Sequence, residues 1–289
     1  MKKRIIITDS ASDISEELEK KLGIRILPFQ LSVDGKSYTS RVDFSNEEFY
    51  TILDNAKSLP TTSQITPFEF VELYTELFKE GYEDVILVLI NSKGSATFNN
   101  AKNSVETFIE ETPEAKGKIN IYPIDGRSYS GGYGLPVILA AEKLNAGEDT
   151  KKIVSYLEDY MSRSLIYAGL YTLKYAGKSG RISGAAAFVG DVLGLKPLMR
   201  ICDNEITTKE KVRGEKKIIP GVLDKIAAEM EPNAEYFVVC GNNPEDGKIM
   251  AEEAEKRFGY PPVDIFRIGA AIAINAGPKV VGVGTIRKK

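Results

Sequence analysis

The chemistry open to this chain is limited first by a residue it lacks: none of its 289 positions is a histidine. A Ser-His-Asp triad, a Cys-His dyad, an HExxH zinc site and a phosphohistidine relay all need an imidazole, so this chain alone builds none of them. What it offers instead is short clusters of small polar residues. Thr8-Asp9-Ser10, Asn91-Ser92-Lys93-Gly94-Ser95 and Asp125-Gly126-Arg127-Ser128 each follow an apolar run, and Thr62-Ser63-Gln64 precedes an amphipathic stretch. Hydroxyls and free backbone N–H groups in such places can receive an anionic head group. The carboxyl ends of strands in an open α/β sheet are also where ligand loops gather. Ser and Asp at a strand–helix junction equally cap helices and shape turns, so each cluster taken alone also reads as a cap.

Other constellations are weaker. Ser130-Gly131-Gly132-Tyr133-Gly134 could cradle a phosphate, but it has neither the lysine of a P-loop nor the spacing of a dinucleotide fingerprint. Asp9, Asp125 and Asp203 carry the oxygen ligands that hard cations take, yet no spacing brings them together. The glycine-rich basic segment 177–183 contains Arg181, and Arg213 lies further on; both guanidinium groups suit phosphate, and both also read as parts of solvated basic segments. The stretch 269–278 is small and apolar except for Asn275, which fits a core element. Cys202 and Cys240 are two distant thiols, read as reduced core residues rather than a disulfide or metal cluster.

The elements that must position these residues follow from periodicity. Residues 3–8 read as a strand, 15–22 as a helix and 24–33 as a second strand, with Asp34-Gly35 as a hairpin turn. Ser45 and Glu48 have the spacing of a capping box. A helix runs up to residue 79, a buried strand spans 84–90, a helix 97–111 and a strand 119–124. This alternation predicts a mostly parallel sheet flanked by helices. A helix follows Gly132-Tyr133-Gly134, and another over 149–162 could be the hinge to a second domain. Beyond it the pattern is less regular: strands near 165–173, 198–202 and 205–208, a helix over 214–230, then strand, helix and strand over 236–240, 244–258 and 264–268, and a last strand over 280–286. The expectation is an α/β protein with an N-terminal domain over 1–160 and a C-terminal mixed-sheet α/β domain over 161–289.

A formal charge of -3 gives no overall attraction to phosphate polymers, which argues against a nucleic-acid partner. Only three apolar residues, Ile5 to Ile7, follow the basic N-terminus, too few for a signal-peptide core, and no run approaches the ~18 apolar residues of a membrane span. A cytoplasmic protein without a membrane segment is expected.

Taken in order, Thr8-Asp9-Ser10-Ala11-Ser12-Asp13, Thr62-Ser63-Gln64, the segment 92–101, the segment 177–183, Lys196-Pro197-Leu198 and Ala276-Gly277-Pro278 resemble the DegV family of bacterial fatty-acid-binding proteins over nearly the whole chain. The resemblance implies a two-domain fold holding one long-chain fatty acid, with a ligand tunnel between and within the domains and no cofactor. It also implies that some members present the acid to a separate ATP-dependent fatty acid kinase, which makes acyl phosphate. On this resemblance the carboxylate falls to Thr62, with Ser63 adjacent, and to Ser95, with Asn275 beside them. Asp9, Ser10 and Gly277 would form a head-group loop, and Arg181 and Arg213 would meet the partner or its phosphate. The sequence departs from the family pattern at Ala96, where glycine is usual, at Asn275, where histidine is usual, and at Lys279, where glycine is usual. Asn275 can keep a hydrogen bond but cannot titrate.

The physics of such a carrier is simple. Each buried methylene gains ~0.8 kcal/mol, so ~14 of them supply roughly 11 kcal/mol before ordering costs. The head group leaving water then needs hydrogen-bond donors. Tunnel depth depends on the packing of Phe98, Ile166, Phe188, Leu193, Ile272 and Ile274. Two other readings stay open on the residues: a small-molecule kinase or phosphatase using Asp9, Asp125 and the loop from Gly131 to Gly134, and a regulator acting by protein contact alone.

Overall fold

The computed structural model describes residues 2–181 and 194–289. Most of the Gly/Ala-rich stretch 177–194 therefore lies outside the described residues, and with it Ile182, Ser183, Phe188 and Leu193.

Four strands, β1 (Arg4–Asp9), β2 (Arg25–Leu27), β6 (Asp84–Leu89) and β7 (Asn120–Asp125), form a sheet in the order β2-β1-β6-β7 with every pair parallel. Every residue of β6 is buried, which is why its sequence from Val85 to Leu89 is an unbroken apolar run instead of an alternation. The sheet is flanked by α1 (Glu16–Leu22), α3 (Pro67–Lys79), α4 (Thr97–Glu111), α5 (Gly131–Asn145) and α6 (Thr150–Arg163). Hydroxyls or carboxylates of Ser15, Thr66 and Asp149 cap the first turns of α1, α3 and α6.

The expected single strand over 24–33 is in fact two. Pro28, which has no N–H to extend a ladder, separates β2 from β3 (Gln30–Val33), and β3 enters a different sheet. There it lies between β4 (Lys36–Thr39) and β5 (Thr61–Ser63), antiparallel to both. The β3–β4 turn is the expected hairpin: Asp34 and Gly35 both have positive φ, 49° and 81°, as a two-residue turn of this hand requires. α2 (Asn46–Asn55) follows, opened by the Ser45–Glu48 capping box.

The second large sheet is mixed, as the sequence predicts. It contains β8 (Ser164–Leu170), β9 (Leu195–Cys202), β10 (Glu205–Arg213), β11 (Phe237–Cys240), β12 (Ile265–Arg267) and β13 (Val280–Ile286) in the order β10-β9-β8-β13-β11-β12. Only β11 and β12 pair in parallel. Its strands alternate in what they face. Leu165 and Tyr167 of β8, with Val238 and Val283, join an outer apolar cluster. This cluster lies under α8 (Ile218–Glu229) and α9 (Pro244–Phe258). Ile166, Ala168 and Leu170, with Met199 and Val239, belong to the larger cluster that continues into the first sheet, the two-residue period of a sheet buried on both faces. The described residues also include the short helices α7 (Ala176–Ser179) and α10 (Ala270–Ala276), the latter packed on α2, α7 and β5.

The segment from Gly131 to Gly134 is not a loop but the first turn of α5. Its glycines are packing residues. A Cβ on Gly131 would lie 2.6 Å from Phe237 Cδ2, and one on Gly134 would lie 2.4 Å from the Ser12 carbonyl oxygen. The N–H groups of Gly132, Tyr133 and Gly134 already donate to Tyr129 and Ser130 carbonyls, so they cannot cradle a phosphate. Cys202 and Cys240 are buried and unpaired. Among the described residues no helix is long and apolar enough to cross a membrane.

Candidate functional site

Where the carboxyl edge of the parallel sheet meets the inner face of the mixed sheet, the structure leaves a cavity of about 180 Å³. Its polar end is made by loops that the strands deliver. β5 brings Thr62 and Ser63, the turn after β6 brings Gly94 and Ser95, and the turn after β7 brings Tyr129 and Ser130. Asn275 enters from α10 and Arg181 from the segment after α7. Gln64 and Ser179 also line it, and most of the remaining wall is apolar: Ile166, Ala168 and Leu170 on β8, Met199 and Ile201 on β9, and Ala271 and Ile272 on α10.

These loops are held rigidly. Asn91, fully buried, accepts from the N–H groups of Gly94 and Ser95 at 3.0 and 3.1 Å through its carbonyl, and from Lys93 N–H at 2.8 Å through Oδ1. Asp125 joins the two turns: its carboxylate accepts from Ser92 N–H (3.0 Å), Ser92 Oγ–H (2.6 Å), Arg127 N–H (2.9 Å) and Asn204 Nδ2–H (2.8 Å). Ser95 Oγ accepts from Thr97 N–H at 3.3 Å and lies 2.9 Å from Thr97 Oγ1. Thr97 Oγ1 in turn accepts from Ile65 N–H at 3.3 Å. Gly94 has no Cβ for a local reason, since that atom would fall 2.3 Å from the Tyr129 hydroxyl. Burial pushes the Tyr129 phenol up to about 12 despite nearby Arg181, so it stays protonated.

The structure brings Thr62, Ser63, Ser95, Asn275 and Arg181 around one cavity. Four other expected residues, Asp9, Ser10, Gly277 and Arg213, stand elsewhere. Asp9 is fully buried and does not line the wall. It accepts from Ala11 N–H (3.0 Å), Ile90 N–H (2.7 Å) and Tyr133 O–H (2.6 Å), and burial raises its carboxyl to about 6. Ser10 Oγ is used by Phe29 N–H at 3.0 Å. Gly277, with φ 89°, ends α10 and faces Tyr175 rather than the cavity. The expected head-group loop of Asp9, Ser10 and Gly277 therefore does not line the cavity: the Asp9 carboxylate, Ser10 Oγ as an acceptor and Gly277 N–H are used within the fold. Arg213, exposed at the end of β10, does not line the cavity either.

Arg181 is exposed at the rim, where Nη1 donates to the Ser179 carbonyl at 2.6 Å and Nε to the Gly94 carbonyl at 3.4 Å. Asn275 Nδ2 donates one hydrogen to the Ala271 carbonyl at 2.9 Å, which leaves its second amide hydrogen and its Oδ1 uncommitted. Of the expected tunnel residues, Ile166 and Ile272 line the cavity, while Phe98 and Ile274 belong to the surrounding core. Tyr129 belongs to none of the sequence motifs, and Ser130 only to the start of the glycine run; their signal is that they follow the polar cluster that ends β7. Among the described residues no group of three or more carboxylate or thiol side chains is placed to hold a metal ion. Asp9 and Asp125, the pair on which a kinase or phosphatase reading depends, are both saturated by hydrogen bonds within the fold.

Comparison with known proteins adds three findings. The sequence profile of a family described as "Uncharacterised protein, DegV family" matches residues 3–288. A DegV domain-containing protein of Caldanaerobacter subterraneus subsp. tengcongensis is 33% identical over 285 residues, covering 98% of each chain. Two solved structures share the fold throughout. One, described as a fatty acid (stearic acid)-binding protein from Eubacterium ventriosum, has a TM-score of 0.88 at 26% identity over 100% of this chain and 99% of its own. The other, DegV from Bacillus subtilis, described as a fatty acid binding protein, has a TM-score of 0.81 at 27% identity over 100% of both chains.

Proposed function

This chain belongs to the DegV family, and from that premise we propose that it binds one long-chain fatty acid in the cavity between its two large sheets. The carboxylate lies at the end carrying Thr62, Ser63, Ser95 and Asn275, and the acyl tail lies along the inner face of the mixed sheet. One observation carries this reading: hydroxyl groups from β5 and from the turn after β6 line the same cavity as a largely aliphatic wall from β8, β9 and α10. A carboxylate leaving water needs donors to replace it, and methylenes gain ~0.8 kcal/mol each on leaving it. No nucleophile or cofactor is needed for such a task.

The finer proposal is that the chain is a carrier that presents the acid to a separate fatty acid kinase, which makes the acyl phosphate. Exposed Arg181 beside the polar end supports this, since a guanidinium there can meet a phosphate or an acidic partner surface. We also place the domain boundary at 160/161, next to the junction where α6 passes directly into β8, and we place the protein in the cytoplasm, in keeping with its two unpaired buried thiols.

The test is titration of delipidated protein with hexadecanoate. Thr62→Ala combined with Ser95→Ala is expected to weaken binding by about tenfold or more, because hydrogen bonds to a charged group are worth roughly 1.5–3 kcal/mol. Unchanged affinity in the double variant would place the head group elsewhere.

A further inference from the structure

Thr97 opens α4, is fully buried and does not itself line the cavity. Its place in the hydrogen-bond chain nevertheless decides what Ser95 can do. Ile65 N–H donates to Thr97 Oγ1, Thr97 N–H donates to Ser95 Oγ, and the two hydroxyl oxygens are 2.9 Å apart. One hydroxyl hydrogen lies between them, and it comes from one residue or the other. If Ser95 supplied it, the Thr97 hydrogen would be left at a fully buried position with no other acceptor among the described residues, an arrangement that folded proteins avoid. If Thr97 supplies it, the Thr97 hydroxyl is satisfied and Ser95, on the cavity wall, keeps its own hydrogen free.

We infer that Thr97 is a positioning residue that fixes Ser95 as a hydrogen-bond donor into the cavity, so that the site favours an anionic acceptor head group over a neutral one. The inference rests on the fatty-acid reading above. The relay runs from Ile65 N–H through Thr97 to Ser95, and it sets the two halves of the polar end in register. Ile65 follows Thr62-Ser63-Gln64, and its carbonyl is held by Asn100 Nδ2–H at 2.8 Å, also from α4.

The experiment compares the affinities for hexadecanoate and for hexadecan-1-ol in wild type, Ser95→Ala, Thr97→Val, Thr97→Ser and the Ser95→Ala/Thr97→Val double variant, each with its melting temperature. A purely structural role for Thr97 would weaken both ligands alike, so the acid-to-alcohol ratio is the informative readout. Thr97→Val leaves Ser95 its hydroxyl hydrogen but removes the contact that aims it, and is expected to reduce that ratio by up to about tenfold, the worth of one charge-assisted hydrogen bond left misaligned, with Thr97→Ser restoring it. The double variant should match Ser95→Ala alone, because Thr97 acts through Ser95. Should Thr97→Val not fold, Thr97→Ala makes the same comparison. An unchanged ratio in Thr97→Val, or an effect that adds to that of Ser95→Ala, overturns the inference while leaving fatty-acid binding intact. A wild type that binds no hexadecanoate overturns the parent reading and this inference with it.

Discussion

Asp13 offers the sharpest test of the fold's electrostatics. It sits where the halves of the molecule meet: Oδ1 accepts from Gly269 N–H, the residue that opens α10, at 2.8 Å. Oδ2 faces Ser130 without a hydrogen bond of good geometry. Burial raises this carboxyl from 3.8 to about 7; the hydrogen bonds and Arg41 oppose the rise, and neighbouring Asp9 adds to it. Tyr50 and Tyr133 also feel its charge, and both phenols are raised mainly by their own burial. Between the two values the unfolded chain carries the charge while the folded protein keeps the proton. The folded state therefore binds more protons, and stability falls as pH rises through that window, levelling off above it. At about 1.4 kcal/mol per pH unit, the difference between 3.8 and about 7 amounts to on the order of 4 kcal/mol. Asp13→Asn removes the charge, keeps Oδ1 for Gly269, and suits the left-handed backbone at φ 56°. We expect the variant to match wild type at about pH 3.5, below the unfolded value, and to exceed it by roughly 1–3 kcal/mol near pH 8, after the lost attraction to Arg41 is allowed for. Urea unfolding followed by far-ultraviolet circular dichroism suits a chain without tryptophan, and equal slopes would show that stability alone has changed. Parallel pH profiles for the two proteins would refute the assignment of a strained, buried charge to Asp13.

Two further outcomes follow from packing. Gly134→Ala should destabilise by about 1–3 kcal/mol despite a helix-propensity gain of about 1, because the new Cβ would meet the Ser12 carbonyl oxygen at 2.4 Å and backbone cannot swing aside; denaturant midpoints measure this, and a stabilised variant would contradict it. Ala271→Phe places a ring in the cavity from α10 and should weaken hexadecanoate binding at least about tenfold, 1.4 kcal/mol, with little change in melting temperature; full affinity in a folded variant would move the acyl chain out of this cavity.

What was legible in the sequence was whatever depends on neighbours along the chain. β6 showed itself as an apolar run, α4 spans the predicted residues 97–111, and the Ser45–Glu48 capping box stands where its spacing put it. The long-range features were harder to see. β5 is three residues long and exists because β3 pairs with it, so no local pattern announces it. The run from Gly131 to Gly134 looked like a loop because the groups that require Gly131 and Gly134, the Phe237 and Phe266 rings and the Ser12 carbonyl, lie far away along the chain. Asp9 was recognised as a polar residue at a strand end. Whether it faces the cavity or the interior was decided by Tyr133 and Ile90, which take its carboxylate inward. Thr62, Ser95 and Asn275 line one cavity, although the bonds that fix Ser95 pass through Thr97 and Ile65, which the motif alone did not single out.

The most direct measurement is mass spectrometry of the organic extract from protein purified without added lipid, alongside the intact complex under native conditions. One long-chain carboxylic acid per chain, retained by wild type and depleted in the Thr62→Ala/Ser95→Ala variant, is the result expected. Folded wild-type protein that yields no acyl chain, and takes none up when fatty acid is supplied, would contradict a lipid-holding role for the cavity.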